Sequence, residues 1–276
     1  MTATAPAAED FAFADELAFA LEVAARAGRL LMDHYERVER IDYKSAKDVV
    51  TEVDHLSESL ILTAIRKVYP GDAILAEESG EHRGARRPNE ALGRGRTWIV
   101  DPLDGTINYA NGIPVFCVSV ALAVDGRPAV GVVHDPTRHE TFSATAADGA
   151  RLDGQPVVAS DKERLSDFVV SMALGGRSAA SRARAVRKAI RVPRSMGSAA
   201  LALAYVANGR FDAFIQQGGL SVWDVAAAGL IAERGGAVVT DMEGRSWFDV
   251  AGPARSIGIL AAPAAHHPAI LDLARG

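Results

Sequence analysis

Apolar positions recur at helical spacing over residues 15–35, where Leu17, Leu21, Ala24, Gly28, Leu31 and Tyr35 form one stripe, so an amphipathic helix is expected. The segment Asp48-Val49-Val50-Thr51-Glu52-Val53-Asp54 follows, and residues 57–68 read as a second helix stopped by Tyr69-Pro70-Gly71. A short strand at 73–76 runs into Glu77-Glu78-Ser79-Gly80, and residues 81–96, rich in Gly, Arg and Pro, read as a surface loop. Strands at 115–124 and 129–133 flank Asp125-Gly126, a hairpin signal, and Asp153-Gly154 marks another turn. The second half alternates in type, with strands at 168–173, 211–215 and 236–240 and near 258–260. Helices are expected at 179–190, 198–208 (ended by Asn208-Gly209) and 225–233. The pattern predicts an α/β or α+β chain. Residues 1–13 are expected to form a disordered tail, and 14–276 a single domain of two packed subdomains, about 14–150 and 151–276.

Composition narrows this picture. An apolar content of 49% supplies a sizeable core, and a net charge of −5 argues against general affinity for nucleic acid. The single cysteine, Cys117, lies in an apolar run and reads as a small core residue. With no disulfide framework and no membrane-length apolar run, a cytoplasmic protein without membrane partners is expected. The Ala-rich, acidic first ten residues lack the basic segment of a secretory signal. Between 182 and 191, Arg184, Arg187, Lys188 and Arg191 share one helical face with Ala183, Val186 and Ile190 opposite, a solvated basic face rather than a recognition element.

The candidate chemistry centres on Trp98-Ile99-Val100-Asp101-Pro102-Leu103-Asp104-Gly105-Thr106. An apolar strand there ends in two carboxylates, followed by a glycine able to turn and a threonine suited to begin a helix. Carboxylates are hard ligands for Mg²⁺, and helix N-termini attract phosphate, so the construction suits phosphate-ester chemistry. Alone, the segment could also be a structural turn in which Asp104 caps a helix and Asp101 is exposed. Three more segments carry acids at an apparent element end: Asp54, the Glu77-Glu78 pair, and Asp224 within Trp223-Asp224-Val225-Ala226-Ala227-Ala228-Gly229. Asp224 could merely cap its own helix. Sites for several Mg²⁺ ions draw anionic oxygens from separate segments, whereas the scattered histidines and lone cysteine do not form a zinc set.

With Asp48–Asp54, Ala76-Glu77-Glu78-Ser79, Trp98–Thr106, Gly197-Ser198-Ala199-Ala200 and Trp223–Gly229 in this order, the chain resembles the inositol monophosphatases over nearly its whole length. These belong to a larger group of Mg²⁺-dependent, lithium-sensitive phosphatases. The resemblance implies a layered α-β-α-β-α sandwich of the inositol monophosphatase and fructose-1,6-bisphosphatase type, and a homodimer. It implies two or three Mg²⁺ ions. Glu77, Asp101 and the Leu103 carbonyl would hold one, Asp101, Asp104 and Asp224 a second, and a third would sit near Glu77. Asp54 and Thr106 would orient and deprotonate the attacking water, and the amides of Gly105 and Thr106 would hold the phosphate. Glu78 would support Glu77, and Lys44 corresponds to a lysine near the metal site or else is simply solvated.

Substrate residues match less well. Gly197, Ser198 and Ala199 would line the substrate side. Gln216 stands where the family carries a glutamate that binds inositol hydroxyls, in a stretch one residue longer. The segment at Gly175-Gly176-Arg177 offers no acidic or aromatic recognition residue. The expected substrate is a small polyol or sugar phosphate, inositol 1-phosphate first. Histidinol phosphate, fructose 1,6-bisphosphate and adenosine 3′,5′-bisphosphate are alternatives, and a binding protein that has lost turnover is a reading from another class.

Overall fold

The computed structural model describes residues 13–36, 41–45, 48–84, 94–175 and 179–276, with only the backbone of 41–45 and 48–50 described. Expectations for the tail up to residue 12, the Lys44 side chain, residues 85–93 of the loop, and Gly176-Arg177 lie outside the described residues.

Helix α1 (Ala14–His34) is followed by the antiparallel strands β1 (Ile41–Ser45) and β2 (Asp48–Thr51), then α2 (Glu52–Val68). Next come β3 (Ala73–Ala76), β4 (Gly80–His82), β5 (Arg96–Asp104), the short α3 (Thr106–Ala110), β6 (Cys117–Val124), β7 (Arg127–Asp135), β8 (Glu140–Thr145), β9 (Arg151–Leu152) and β10 (Gln155–Pro156). The chain continues with β11 (Val169–Ala173), α4 (Ala179–Ala189), β12 (Val192–Arg194), α5 (Ala199–Ala204), β13 (Ala213–Leu220), α6 (Val222–Arg234), β14 (Ala237–Asp241), β15 (Ile257–Pro263) and α7 (His267–Arg275). An eight-stranded sheet runs β10-β9-β8-β7-β6-β5-β3-β4, and a five-stranded sheet runs β12-β11-β13-β15-β14.

Three cores separate the layers. Ala20, Val23, Ala24, Ala27 and Leu31 of α1 and Ile61 and Ile65 of α2 pack on one face of the large sheet. A central core joins that sheet's other face to α5 and α6 and to the inner side of the small sheet, through Phe214, Val239 and Ala261. On the small sheet's outer side, Ala213 and Ile215 meet Val186 and Ile190 beside α4 and Ile270 and Leu271 of α7. The order is therefore α-β-α-β-α, as expected. Helix α6 is buried from Val225 to Ala232, all the way round, because it lies between two sheets. Gly131 makes the contact possible: a Cβ there would sit 2.7 Å from the Ala227 carbonyl oxygen.

Several elements differ from the expected bounds. Helix α2 starts five residues earlier than expected, because the Thr51 side chain caps Val53 N while Asp54 returns a bond to Thr51 N. Strand β13 runs Ala213–Leu220, beginning two residues after the expected start at 211 and continuing five residues past the expected end at 215. The helix expected over 198–208 is α5 followed by a tight 3-10 turn, Tyr205–Asn208, ended by Gly209 at φ 71°. The Asp125-Gly126 hairpin holds, with φ of 47° and 74° at its two turn residues. The basic face of α4 is exposed, Val186 points inward, and Arg191 just beyond the helix pairs with Asp167.

Candidate active site

Strands β3 and β5 pair in parallel as far as Ala76 opposite Val100, so Glu77 and Asp101 emerge side by side where the pairing ends. The Glu77 N–H donates to Val100 O at 3.1 Å, carrying the ladder one residue beyond β3. After Asp101 the pairing of β5 with β6 shifts register, and the shift turns Asp104 back toward the same end. Ser57 Oγ holds the irregular segment by donating to Pro102 O at 2.9 Å, and Leu103 N donates to Asp101 Oδ1 at 3.1 Å.

The second half of the chain completes the acidic centre. Asp224 lies in the first turn of α6, where its Oδ2 accepts the Ser221 N–H at 2.6 Å. It caps its helix, as the capping reading expects, and also lines the cleft. Asp104 does likewise for another helix, since its Oδ2 accepts Ser198 Oγ and, at 2.8 Å, Ala200 N at the start of α5. One carboxylate oxygen from each of Asp101, Asp104 and Asp224 lies within 4.8 Å of the others. Burial, then Glu77, Asp104 and Asp224, hold the Asp101 carboxyl well above the usual carboxylate range. Asp224 is raised by burial and Asp104, with Arg255 opposing. Asp104 is raised by burial against the bonds from Ser198 and α5. Asp101 Oδ2 is buried with no hydrogen-bond partner among the described residues. Hard oxygens converging on one point, with one of them orphaned, are a donor set that fits a divalent cation such as Mg²⁺.

Beside this centre, Asp54 is fully buried in the first turn of α2. Its Oδ2 accepts Thr51 N at 2.8 Å and Thr51 Oγ1 at 2.6 Å, which leaves Oδ1 facing Thr106 Oγ1 at 3.0 Å. The same hydroxyl lies 3.0 Å from Leu103 O. Burial pushes the Asp54 carboxyl up to about 6, against the two bonds from Thr51. Thr106 lines the cleft and Asp54 does not, so Asp54 reaches the cleft through Thr106.

Residues 14–275 match the model of the inositol monophosphatase family. The chain belongs to that family. A curated relative, the fructose-1,6-bisphosphatase/inositol-1-monophosphatase of Thermotoga maritima, is 36% identical over 232 residues, covering 84% of this chain and 86% of the relative. Nus factor SuhB of Escherichia coli K12 is 37% identical over 236 residues, covering 83% and 85%. Among solved structures, the Thermotoga maritima IMPase superposes with a TM-score of 0.83 at 33% identity, covering 95% and 97% of the two chains. The extragenic suppressor protein suhB of Bartonella henselae reaches 0.85 at 31% identity, covering 95% and 98%.

In this inositol monophosphatase family member, the acids face a cleft of about 720 Å³ of open space. Gly105, Thr106 and Gly197 line it, as expected. Gly105 adopts φ 98°, and a Cβ there would sit 2.9 Å from Val115 O, so the turn requires glycine. Three expected substrate residues are placed otherwise. The Ser198 hydroxyl is spent on Asp104, Ala199 is not among the lining residues, and Gln216 lies on β13 with its amide donating to Gly218 O at 3.3 Å. Glu78 is tied through its N–H to Glu58 Oε2 at 2.8 Å, consistent with a supporting role for this segment. Sequence reasoning missed Ser221, Trp223, Gly219, Ile107 and Arg255 as lining residues. It also missed Asn108, whose Nδ2 donates to Val115 O at 2.7 Å and Met196 O at 2.8 Å and so fixes the Gly197 segment against α3. Asn108 was readable from its place in D-G-T-I-N, whereas nothing around Arg255 marks it as more than a loop residue.

Proposed function

We propose that the chain is a Mg²⁺-dependent phosphomonoesterase that hydrolyses a small polyol or sugar phosphate, with inositol 1-phosphate the first candidate. The observation that carries this reading is the orphaned Asp101 Oδ2 amid converging carboxylates, in a cleft that also holds Gly105 and Thr106. Glu77, Asp101 and the Leu103 carbonyl would hold one ion, and Asp101, Asp104 and Asp224 a second. Bound there, the ions supply charge neutralisation for the phosphoryl group and its leaving oxygen, and a water more acidic than bulk.

The chain's own groups orient that water and take its proton. Thr106 Oγ1 offers its hydrogen to Asp54 Oδ1, which leaves an oxygen lone pair directed to the cleft as acceptor for the water. As the water loses its proton to Thr106 Oγ1, the threonine passes its own to Asp54 Oδ1. A carboxyl near 6 is matched to receiving a proton at neutral pH. The backbone N–H groups of Gly105 and Thr106 hold the phosphate. No covalent nucleophile is needed, because phosphoryl transfer depends on positioning and charge neutralisation.

The test is phosphate release from inositol 1-phosphate, histidinol phosphate, fructose 1,6-bisphosphate, glycerol 2-phosphate and adenosine 3′,5′-bisphosphate, with Mg²⁺ and with chelator. Mg²⁺-dependent turnover of a polyol or sugar ester supports the reading, and inactivity across the panel with Mg²⁺ bound overturns it. The similarity to proteins named Nus factor SuhB favours a second reading, a binding role that does not need turnover. A cellular phenotype of gene loss that Asp101→Asn rescues would assign that role.

A further inference from the structure

Among the described residues, the cleft has a floor of carboxylates and one cationic side chain on its wall, Arg255. Its charge acts on Asp224. The position is built rather than incidental. Arg255 has a left-handed backbone, φ 59°, uncommon for a residue with a side chain. Its N–H donates at 2.9 Å to the hydroxyl of Ser221, the residue that caps α6 just before Asp224. Ser256 Oγ closes the turn by donating to Pro253 O. Arg255 is therefore anchored to the same cap that sets Asp224.

The wall beside it is bare. Pairing of β13 with β15 shifts register between Gln216 and Leu220, and Gly219, which lines the cleft, would meet nothing within 4 Å if it carried a Cβ. Gly218 is open in the same way. The longer stretch before Trp223 thus leaves open space at Gly219, on the cleft that Arg255 also lines.

We propose that Arg255 selects substrates whose leaving alcohol carries a second anionic group, a carboxylate or another phosphate, seated in the space beside Gly219. The inference rests on the phosphatase reading and sharpens its substrate class. Guanidinium groups bind either anion in a bidentate manner. With Mg²⁺ bound, the cleft acids would not cancel the attraction, since their charge would be met by the ions they would hold.

The experiment uses two matched pairs of esters. Glycerol 2-phosphate and 2-phosphoglycerate differ by a hydroxymethyl against a carboxylate, and fructose 1-phosphate and fructose 1,6-bisphosphate differ by the second phosphate. For each pair, the ratio of kcat/KM, anionic over neutral, is measured in wild type, Arg255→Asn, Arg255→Lys and Arg255→Glu. Asn tolerates the left-handed backbone, and a thermal melt of each variant verifies folding. Arg255→Asn should lower the ratio in at least one pair by about tenfold to a hundredfold, through KM, the range of a charge-assisted hydrogen bond. Arg255→Lys should restore part of it and Arg255→Glu should lower it further. The responding pair tells carboxylate from phosphate. A ratio unchanged within twofold in both pairs overturns the proposal, even if both esters of a pair slow together, for that marks a residue that only holds Asp224. If wild type turns over neither the four esters nor inositol 1-phosphate with Mg²⁺, the phosphatase reading falls and takes this proposal with it, whereas turnover of inositol 1-phosphate but none of the four removes the proposal alone. Turnover of the neutral esters with unchanged ratios removes the proposal alone.

Discussion

Asp101 is fully enclosed among other acids, and its charge is tolerable only beside a cation. Asp101→Asn keeps the shape and removes the charge, so Mg²⁺-dependent hydrolysis should fall by about a thousandfold or more. In chelator the variant should melt no lower than wild type, because repulsion is relieved, whereas the rise in Tm on adding Mg²⁺ should vanish. Full activity at saturating Mg²⁺ would refute the ligand assignment. Thr106 and Asp54 form one unit through the Oγ1–Oδ1 bond. Thr106→Val and Asp54→Asn should each lower kcat by about 100-fold to 10,000-fold, and the double variant should be little worse than either. Losses that multiply would separate the two residues. At this scale the acids were legible, because D-P-L-D-G-T and W-D stand in short contiguous runs. The substrate residues were not. Whether Ser198 points to substrate or to Asp104 depends on where α5 lies against β5, and no local spacing encodes that.

At the scale of elements, periodicity located α1, α4, β3 and the β6–β7 hairpin because each follows one face over its whole length. It placed the start of α2 too late, since Thr51 and Asp54 were weighed as chemistry and not as a reciprocal cap. Helix α7, with Pro268 in its first turn, and strand β8 were passed over, the first because its stripe of Ile270, Leu271 and Ala274 spans only nine residues, the second because Thr and Ser interrupt its apolar positions. The close approach of α6 to β7 yields a clear expectation. Gly131→Ala would put a methyl 2.7 Å from a backbone oxygen and 3.0 Å from the Ala227 Cα, neither of which can turn aside. It should reduce stability by about 1–3 kcal/mol, read by denaturant unfolding. On the sheet's other face, β7 presents His134 to α1, where a Cβ at Gly28 would come within 2.4 Å of the ring. Burial pushes the His134 imidazole down to about 4. The folded chain thus holds it neutral while the unfolded chain protonates it near 6.5, so its contribution is complete above pH 6.5 and is lost as pH falls toward about 4. The loss amounts to about 3 kcal/mol at most. In metal-free protein the raised carboxyls of Asp101, Asp104 and Asp224 slope the opposite way, so the comparison is with His134→Gln. That variant should show less loss of stability between pH 6.5 and 4.5, and identical slopes would show that His134 does not titrate between the two states.

For the whole molecule, layering was expected from the family resemblance and the packing of two subdomains into one domain from the pattern of elements, but neither showed which residues join the halves. The central core draws Phe142 and Ala144 from the first half and Phe211, Leu230 and Val239 from the second. The boundary near residue 150 therefore separates stretches of sequence, and the two share one interior. Thermal unfolding should accordingly be a single transition, with far-ultraviolet circular dichroism and tryptophan fluorescence coinciding. Two resolved steps would restore two independent subdomains. The bonds that Asp104 makes to Ser198 and Ala200 cross 94 and 96 residues of chain. Contacts so distant in sequence must wait until the intervening strands have found their partners. In refolding from denaturant, helix and sheet content should therefore return ahead of phosphatase activity, because the carboxylate proposed to bind the ion is oriented by the final long-range closure of the chain.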